Sequence, residues 1–140
     1  MPADEAPVHT VYLDTFYIDI YEVSNGDYAK CSAVGVCQEP ASYDSNTNTG
    51  YFHENLGYPV IHVSWEDAQA YCNFRGGRLP TEAEWEKAAR GWLVGMDYPW
   101  GNDEPSCNLI PSGANLSTCT RKDVTPLGSF RSNGYGLFDM

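Results

Sequence analysis

The spacing of apolar and polar positions divides the chain into three capped helices separated by extended and irregular stretches. Residues Val11 to Ile20 are rich in strand formers and alternate in parts, which predicts one or two antiparallel strands with a bend at Asp14-Thr15. Ser24 then precedes a helix expected to reach about Val34. Asp27 at the third position supplies a weak capping box, Tyr28 and Cys31 share a face, and Gly35 is the stop. Pro59 to Val63 predicts a short strand. Ser64 caps a second helix with Asp67 at its third position; Trp65, Ala68, Tyr71 and Cys72 recur at helical spacing toward the core, and Gly76-Gly77 ends it.

The third helix has the strongest start signal, Arg78-Leu79-Pro80-Thr81-Glu82-Ala83-Glu84-Trp85-Glu86. Pro80 fits just outside a helix start, because it cannot continue a preceding helix. Thr81 is a good N-cap and Glu84, three residues on, completes a capping box. Glu82, Glu84 and Glu86 place negative charge where the helix dipole favours it. Trp85, Ala88, Ala89 and Trp92 fall on one face, and the helix should end near Gly91. Arg78, ahead of this acidic turn, predicts a structural ion pair with Glu82 or a neighbour.

Residues 38–58 read as a long loop, either a functional surface or decoration, pinned by Tyr43, Tyr51, Phe52 and Tyr58. His53 beside Glu54 reads as a polar pair or a solvated loop residue. From Trp92 on, helical periodicity stops. Tyr98-Pro99-Trp100-Gly101 reads as a turn with packed rings, residues 107–119 as a loop and Val124 to Phe130 as a short extended piece. Asn133-Gly134-Tyr135-Gly136 is a glycine-rich turn before a strand starting at Leu137-Phe138. The order predicts a loop-rich α+β domain with short antiparallel strands and three helices. Residues 1–6 read as a disordered tail and 7–140 as one domain.

Composition narrows the function classes. Of 140 residues 42% are hydrophobic and 14% aromatic, enough for one folded domain. Nineteen acidic against eight basic residues give a net charge of -11. That balance argues against nucleic acid and anionic membrane surfaces. No apolar run has the length of a membrane span, and Met1 to Glu5 lacks the pattern of a signal peptide. Of five cysteines, Cys31 and Cys37 are close, Cys107 and Cys119 bracket a loop, and Cys72 sits on a helix. This suggests two disulfides, a buried thiol and an oxidising compartment, secreted or periplasmic; a zinc site is the alternative, without a CxxC to support it. Asn115-Leu116-Ser117 is a glycosylation sequon. No GxSxG, HExxH, P-loop or GxGxxG occurs, and Cys72 is expected to be buried and inert, with His62 on a strand. The residues by themselves nominate no catalytic group.

The Arg78–Glu86 string resembles the RLPTEAEWE signature of the formylglycine-generating-enzyme family, also called the sulfatase-modifying-factor domain. Phe16 to Asn25 resembles the family's opening strand and "EVTN" segment, Tyr58 to Ala68 its "PVxxVSWxDA" segment, and Tyr98 to Gly101 and Asn133 to Met140 two later landmarks. The resemblance runs from about residue 7 to the last. It implies a variant of the C-type lectin fold, cut short at its C-terminus.

In the family's oxidases, two cysteines near the C-terminus bind copper(I) and, with oxygen, convert a substrate-protein cysteine to formylglycine; soft thiolates suit that ion. None of the five cysteines here matches those positions, so the resemblance implies a non-catalytic portion whose full-length parent acts on a substrate protein. The family enzymes also bind calcium through oxygen ligands. Asn108 and the carbonyl of Leu109 correspond to one site, whose later Asp aligns with Cys119. A Cys107–Cys119 disulfide is therefore expected to clamp the loop in place of calcium. Asp139 corresponds to the first ligand of a second site. Two other readings are an exported, non-enzymatic binding or structural module with a protein partner, and a related iron enzyme making sulfur-histidine compounds, whose metal-binding His motif is not seen here.

Overall fold

A computed structural model describes residues 9–107, 115 and 123–140. The tail expected over residues 1–6 lies outside these. Four helices follow in order: α1 (Asn25–Ala33), α2 (Tyr51–Glu54), α3 (Trp65–Phe74) and α4 (Glu82–Arg90). The three longer ones start where their caps predict. Ser24 Oγ accepts from the Asp27 N–H at 2.9 Å, and Ser64 Oγ from the Asp67 N–H at 3.1 Å. In both, the aspartate side chain accepts from the serine hydroxyl rather than from the cap backbone, so neither forms the full reciprocal box. Only Thr81 and Glu84 do that, because the longer glutamate reaches back to the cap N–H.

The short α2 lies inside the stretch expected to be loop. Its Tyr51 and Phe52 are buried, and this burial holds a single helical turn that has no side-chain cap of its own. The core forms where α1, α2 and α3 meet. Tyr28 of α1 stacks on Tyr71 of α3 at 5.6 Å and meets Phe52 of α2 edge-on at 6.3 Å. Cys31 and Cys37 close the same cluster, with Val23, Val60 and Val63 packed around it. The Tyr28 hydroxyl donates to the Gln38 carbonyl at 2.9 Å and the Tyr51 hydroxyl to the Pro59 carbonyl at 2.6 Å, so both buried rings satisfy their polar ends. Burial pushes both phenols up to about 12. His53 packs against Tyr43 and Phe52 rather than pairing with Glu54.

The expected strands do not form ladders. Among the described residues there are two isolated antiparallel bridges, Ser24 with Pro59 and Tyr98 with Gly101. The piece from Pro59 to Val63 bonds to two different stretches of backbone, Val60 N–H to Val23 O at 2.8 Å and Ala41 N–H to His62 O at 2.9 Å. It is then broken at His62, whose φ is +61°, a conformation no strand accommodates. Residues 11–20 form neither helix nor strand, and Tyr17 is 99% exposed. Strand propensity is satisfied only by a neighbour, and Ile20 has one backbone partner, the Phe138 N–H at 3.0 Å. The three helices of the expectation are present, and the described residues between them are loop-rich, without strand ladders.

A second packing centre joins α4 to the C-terminal turn. Ala88, Ala89 and Leu137 are buried. Asn133 Nδ2 donates to the Ala88 and Ala89 carbonyls at 2.6 and 3.0 Å, while its Oδ1 accepts from the Tyr135 and Leu137 N–H groups. One side chain therefore satisfies two end carbonyls of α4 and shapes the turn that packs there. Asn133→Ala removes all four bonds and is expected to lower stability by about 2 kcal/mol, read as a lower urea midpoint with an unchanged slope.

Candidate functional site

The Arg78–Glu86 motif is built around one carboxylate. Glu84 is buried, and its two oxygens accept from Arg78 at 2.7 and 2.6 Å. The Thr81 backbone N–H and hydroxyl add bonds at 2.8 and 3.0 Å. The ion pair expected with Glu82 or a neighbour is made with Glu84, because the residue that must reach back to the cap is also the one facing Arg78. The Arg78 guanidinium, followed by the Thr81 N–H, holds this carboxyl down to about 2. Since the folded value lies below the ordinary 4.5, the stabilisation is fully present above that value and disappears as pH falls toward about 2. Melting temperature measured from about pH 6 down to about pH 2 is expected to fall more steeply in the wild type than in Glu84→Gln.

Pro80 precedes this cap, and Glu82 is exposed. Arg78, Thr81 and Glu84 are bound to one another at the start of α4, and that part of the motif is structural.

Beyond α4 lies a cleft of about 900 Å³. Trp85, Trp92 and Leu93 come from α4 and its exit, Met96 from the following loop, and Asn133 and Leu137 from the C-terminal turn. Trp85 and Trp92, on one face with Ala88 and Ala89, are 51% and 68% exposed; the alanines of that face are buried, and Trp92 meets Tyr135 edge-on at 6.0 Å. Trp65 at the start of α3, expected inward, is exposed, while Tyr71 one face further round is buried. Glu22 and Asp139 line the same cleft. Burial raises the Glu22 carboxyl, and the neighbouring Asp139 carboxylate adds to the rise. Asp139 is itself committed: its two oxygens accept the Phe130 and Gly128 N–H groups at 3.0 and 2.5 Å.

Cys31 and Cys37 are joined as a disulfide, with 5.3 Å between their Cα atoms. Cys107 is disulfide-bonded, and its partner lies outside the described residues, as do Asn108, Leu109 and Cys119. Cys72 is a free thiol. It is half-buried rather than fully buried, and desolvation raises its pKa away from the reactive thiolate.

Copper(I) calls for paired thiolates, and the described cysteines do not fit it: three are oxidised and one stands alone. Nor do three His, Cys, Asp or Glu side chains group to hold a metal among the described residues. Asp139, committed to two backbone donors, is not a ligand shell by itself. No helix of the described residues is long and apolar enough to cross a membrane.

Several residues that organise this region escaped the sequence reading. Asp123 gathers the long loop. Its carboxylate accepts from the Ser45 hydroxyl at 2.6 Å, the Thr47 N–H at 2.9 Å and the Thr47 hydroxyl. Burial opposes its charge, but these bonds and the Val124 N–H outweigh it and bring the carboxyl to about 2. Nothing in the local sequence marks Asp123, since its partners lie 76 and 78 residues away. Asn133 carried a signal, the turn-forming Asn-Gly pair, but not its contact with α4.

Comparison with known proteins accords with these landmarks. The profile of a family described as "Sulfatase-modifying factor enzyme 1-like domain" matches residues 1–140. The formylglycine-generating enzyme of Bos taurus is 33% identical over 187 aligned positions, covering 97% of this chain and 49% of its own length. That of Thermomonospora curvata is 32% identical, covering 97% of this chain and 60% of its own length. A Bos taurus protein named "Inactive C-alpha-formylglycine-generating enzyme 2" is 48% identical over 93 positions, 62% of this chain and 31% of its own length. The chain spans about half the length of the bovine formylglycine-generating enzyme it matches.

Proposed function

Because the chain belongs to the sulfatase-modifying factor family, we propose that it is the helical scaffold portion of a formylglycine-generating-type domain and does not itself carry the oxidation chemistry. The observation behind this reading is the state of its cysteines. Cys31, Cys37 and Cys107 are tied up in disulfides and Cys72 is a lone thiol of raised pKa, so the described residues offer no thiolate pair for copper(I). In a longer parent, the complete domain oxidises a substrate-protein cysteine to formylglycine. The relative named inactive, 48% identical over its matched stretch, shows why membership alone does not carry activity.

The test incubates the purified 140-residue chain with a cysteine-containing peptide of sulfatase type, copper(I) and oxygen, followed by aldehyde capture and mass spectrometry. Unconverted peptide is the expected result. Formylglycine formed at a rate proportional to the chain's concentration would overturn the reading.

The same reading places the protein in an oxidising, exported setting, secreted or periplasmic, with a protein substrate or partner and a disulfide in place of calcium beside Asn108 and Leu109. Intact mass after alkylation is expected to show one reactive thiol, Cys72, and all five cysteines after reduction. Calcium is expected to leave the melting temperature unchanged while the Cys107 disulfide is intact. A calcium-dependent rise in the oxidised protein would remove the substitution idea.

A further inference from the structure

The sequence holds two Asn-Gly pairs, Asn25-Gly26 and Asn133-Gly134, and the fold restrains them differently. An asparagine followed by glycine is especially open to reaction with its own backbone, because no side chain on the second residue shields its nitrogen from the asparagine Cγ. At Asn25 both reacting groups are withdrawn. The side chain is fully buried, the residue opens α1, and the Gly26 N–H is bonded to the Leu56 carbonyl at 3.0 Å. Asn133 and Gly134 are half-buried and outside any helix. Asn133 is restrained by its side chain alone, through Nδ2 to the Ala88 and Ala89 carbonyls and through Oδ1 to the Tyr135 and Leu137 N–H groups. The two bonds to α4 exist only while the turn 133–137 is docked there. Packing explains why this pair stands in the turn. A Cβ on residue 134 would lie 2.7 Å from the Trp92 ring, so any side chain there would displace the ring. Asparagine at 133 supplies donor and acceptor together. The docked turn therefore uses both members of a labile pair.

We propose that Asn133-Gly134 is a self-modification site, gated by docking of the turn 133–137 on α4, and that its conversion releases the turn for good. In the undocked turn the Gly134 nitrogen attacks Asn133 Cγ. The N–Cγ bond forms, the Cγ–Nδ2 bond breaks, and Nδ2 leaves as ammonia with the proton of the Gly134 amide, giving a five-membered succinimide. Water then opens either carbonyl of the ring and leaves aspartate or isoaspartate. No electrons are transferred, and water is the sole co-reactant. The product cannot dock as before. Its carboxylate faces the Ala88 and Ala89 carbonyls, at the negative end of the α4 dipole, where an amide donor stood. In isoaspartate the backbone also runs through the former side chain, so the turn is lengthened. The pair thus records, in a one-way step, the time the turn has spent open.

The test ages the oxidised 140-residue chain in mildly alkaline buffer, folded and in urea. Peptide mapping follows the mass gain of about 1 Da at each pair, and isoaspartate is counted by enzymatic methyl transfer. In urea the two pairs are expected to convert at similar rates. In the folded chain Asn133 is expected to convert at least about tenfold more slowly than in urea, and Asn25 more slowly still. Gly91→Ala, whose added Cβ would meet the Gly134 nitrogen at 3.1 Å, is expected to speed conversion at Asn133 at least about threefold and to leave Asn25 unchanged. The converted wild-type fraction, separated by its extra negative charge, is expected to have lost amide protection over 133–137 and kept it in α1. Equal rates at Asn133 in the folded and unfolded chain would overturn the gating. Faster conversion at Asn25 than at Asn133 in the folded chain would do the same. A converted fraction that keeps full protection over 133–137 would overturn the release. These wild-type measurements decide the proposal even where Gly91→Ala does not fold.

Discussion

Asn25→Asp is expected to be the most damaging single-atom exchange in the protein. Asn25 opens α1 and is fully buried. Its Nδ2 donates to the Asn55 carbonyl at 3.0 Å and the Tyr51 carbonyl at 3.4 Å. Its Oδ1 has no hydrogen-bond partner in the structure. Aspartate keeps the shape but turns the donor into an acceptor, so a buried charge faces two carbonyl oxygens. A negative charge in the first helical turn gains about 0.3–1 kcal/mol from the dipole. An unpaired buried charge loses about 3–5 kcal/mol, so burial wins. The new carboxyl titrates above its unfolded value, because burial and the facing carbonyls both disfavour its charge. The damage is therefore small below the unfolded carboxylate range and grows as pH rises through the folded value. Urea midpoints at about pH 7 and about pH 4 are the measurement. Asn25→Asp should fall below Asn25→Ala at the higher pH and draw level at the lower. Equal midpoints for the two variants at the higher pH would show that the Nδ2 contacts do not matter.

Gly91→Ala is the second large effect. Gly91 ends α4 at φ +62° and ψ -128°, a region open almost only to glycine. A Cβ there would lie 3.1 Å from the Gly134 nitrogen and 3.3 Å from its Cα. Backbone, not a movable side chain, is in the way, and the same turn carries Asn133. Strain and collision together are expected to lower stability by about 2–4 kcal/mol and to loosen the turn that seals Ala88 and Ala89. Gly35→Ala is the control. Its φ is +74° with nothing within 4 Å of the added carbon, so only the conformational penalty of about 1–2 kcal/mol applies. Hydrogen exchange localises the difference: amides of 133–137 should lose protection in Gly91→Ala and keep it in Gly35→Ala.

The three long helices were legible because their signals are local. Ser24, Ser64 and Thr81 bond to residues three positions on, and that spacing is written in the sequence. The stops at Gly35, Gly76 and Gly91 were equally local, each a glycine at positive φ. The partner of Arg78 was left between Glu82 and a neighbour, and the fold selects Glu84, because two acidic side chains of one turn compete and only the folded geometry selects between them. The strands expected at 11–20 and 59–63 form no ladder among the described residues, for a different reason. Their composition favours extended backbone, but a strand is defined by its neighbour, and the neighbour is not encoded within the segment. The candidate metal residues were read by resemblance to a family; of them the described residues include Asp139, whose carboxylate accepts two backbone N–H groups from residues nine and eleven positions away.

The sequence by itself determined where the three long helices start and stop, which family the chain resembles, and that Cys31 and Cys37 lie near enough to bridge. These are matters of residues a few positions apart, where chain connectivity already supplies the proximity. Only the tertiary structure decided that Asp123 holds Ser45 and Thr47, that Asn133 seals α4 and that Trp85 and Trp92 look into a cleft. Those contacts join residues tens of positions apart, and burial of a helical face depends on what packs against it, not on the spacing that makes the face apolar.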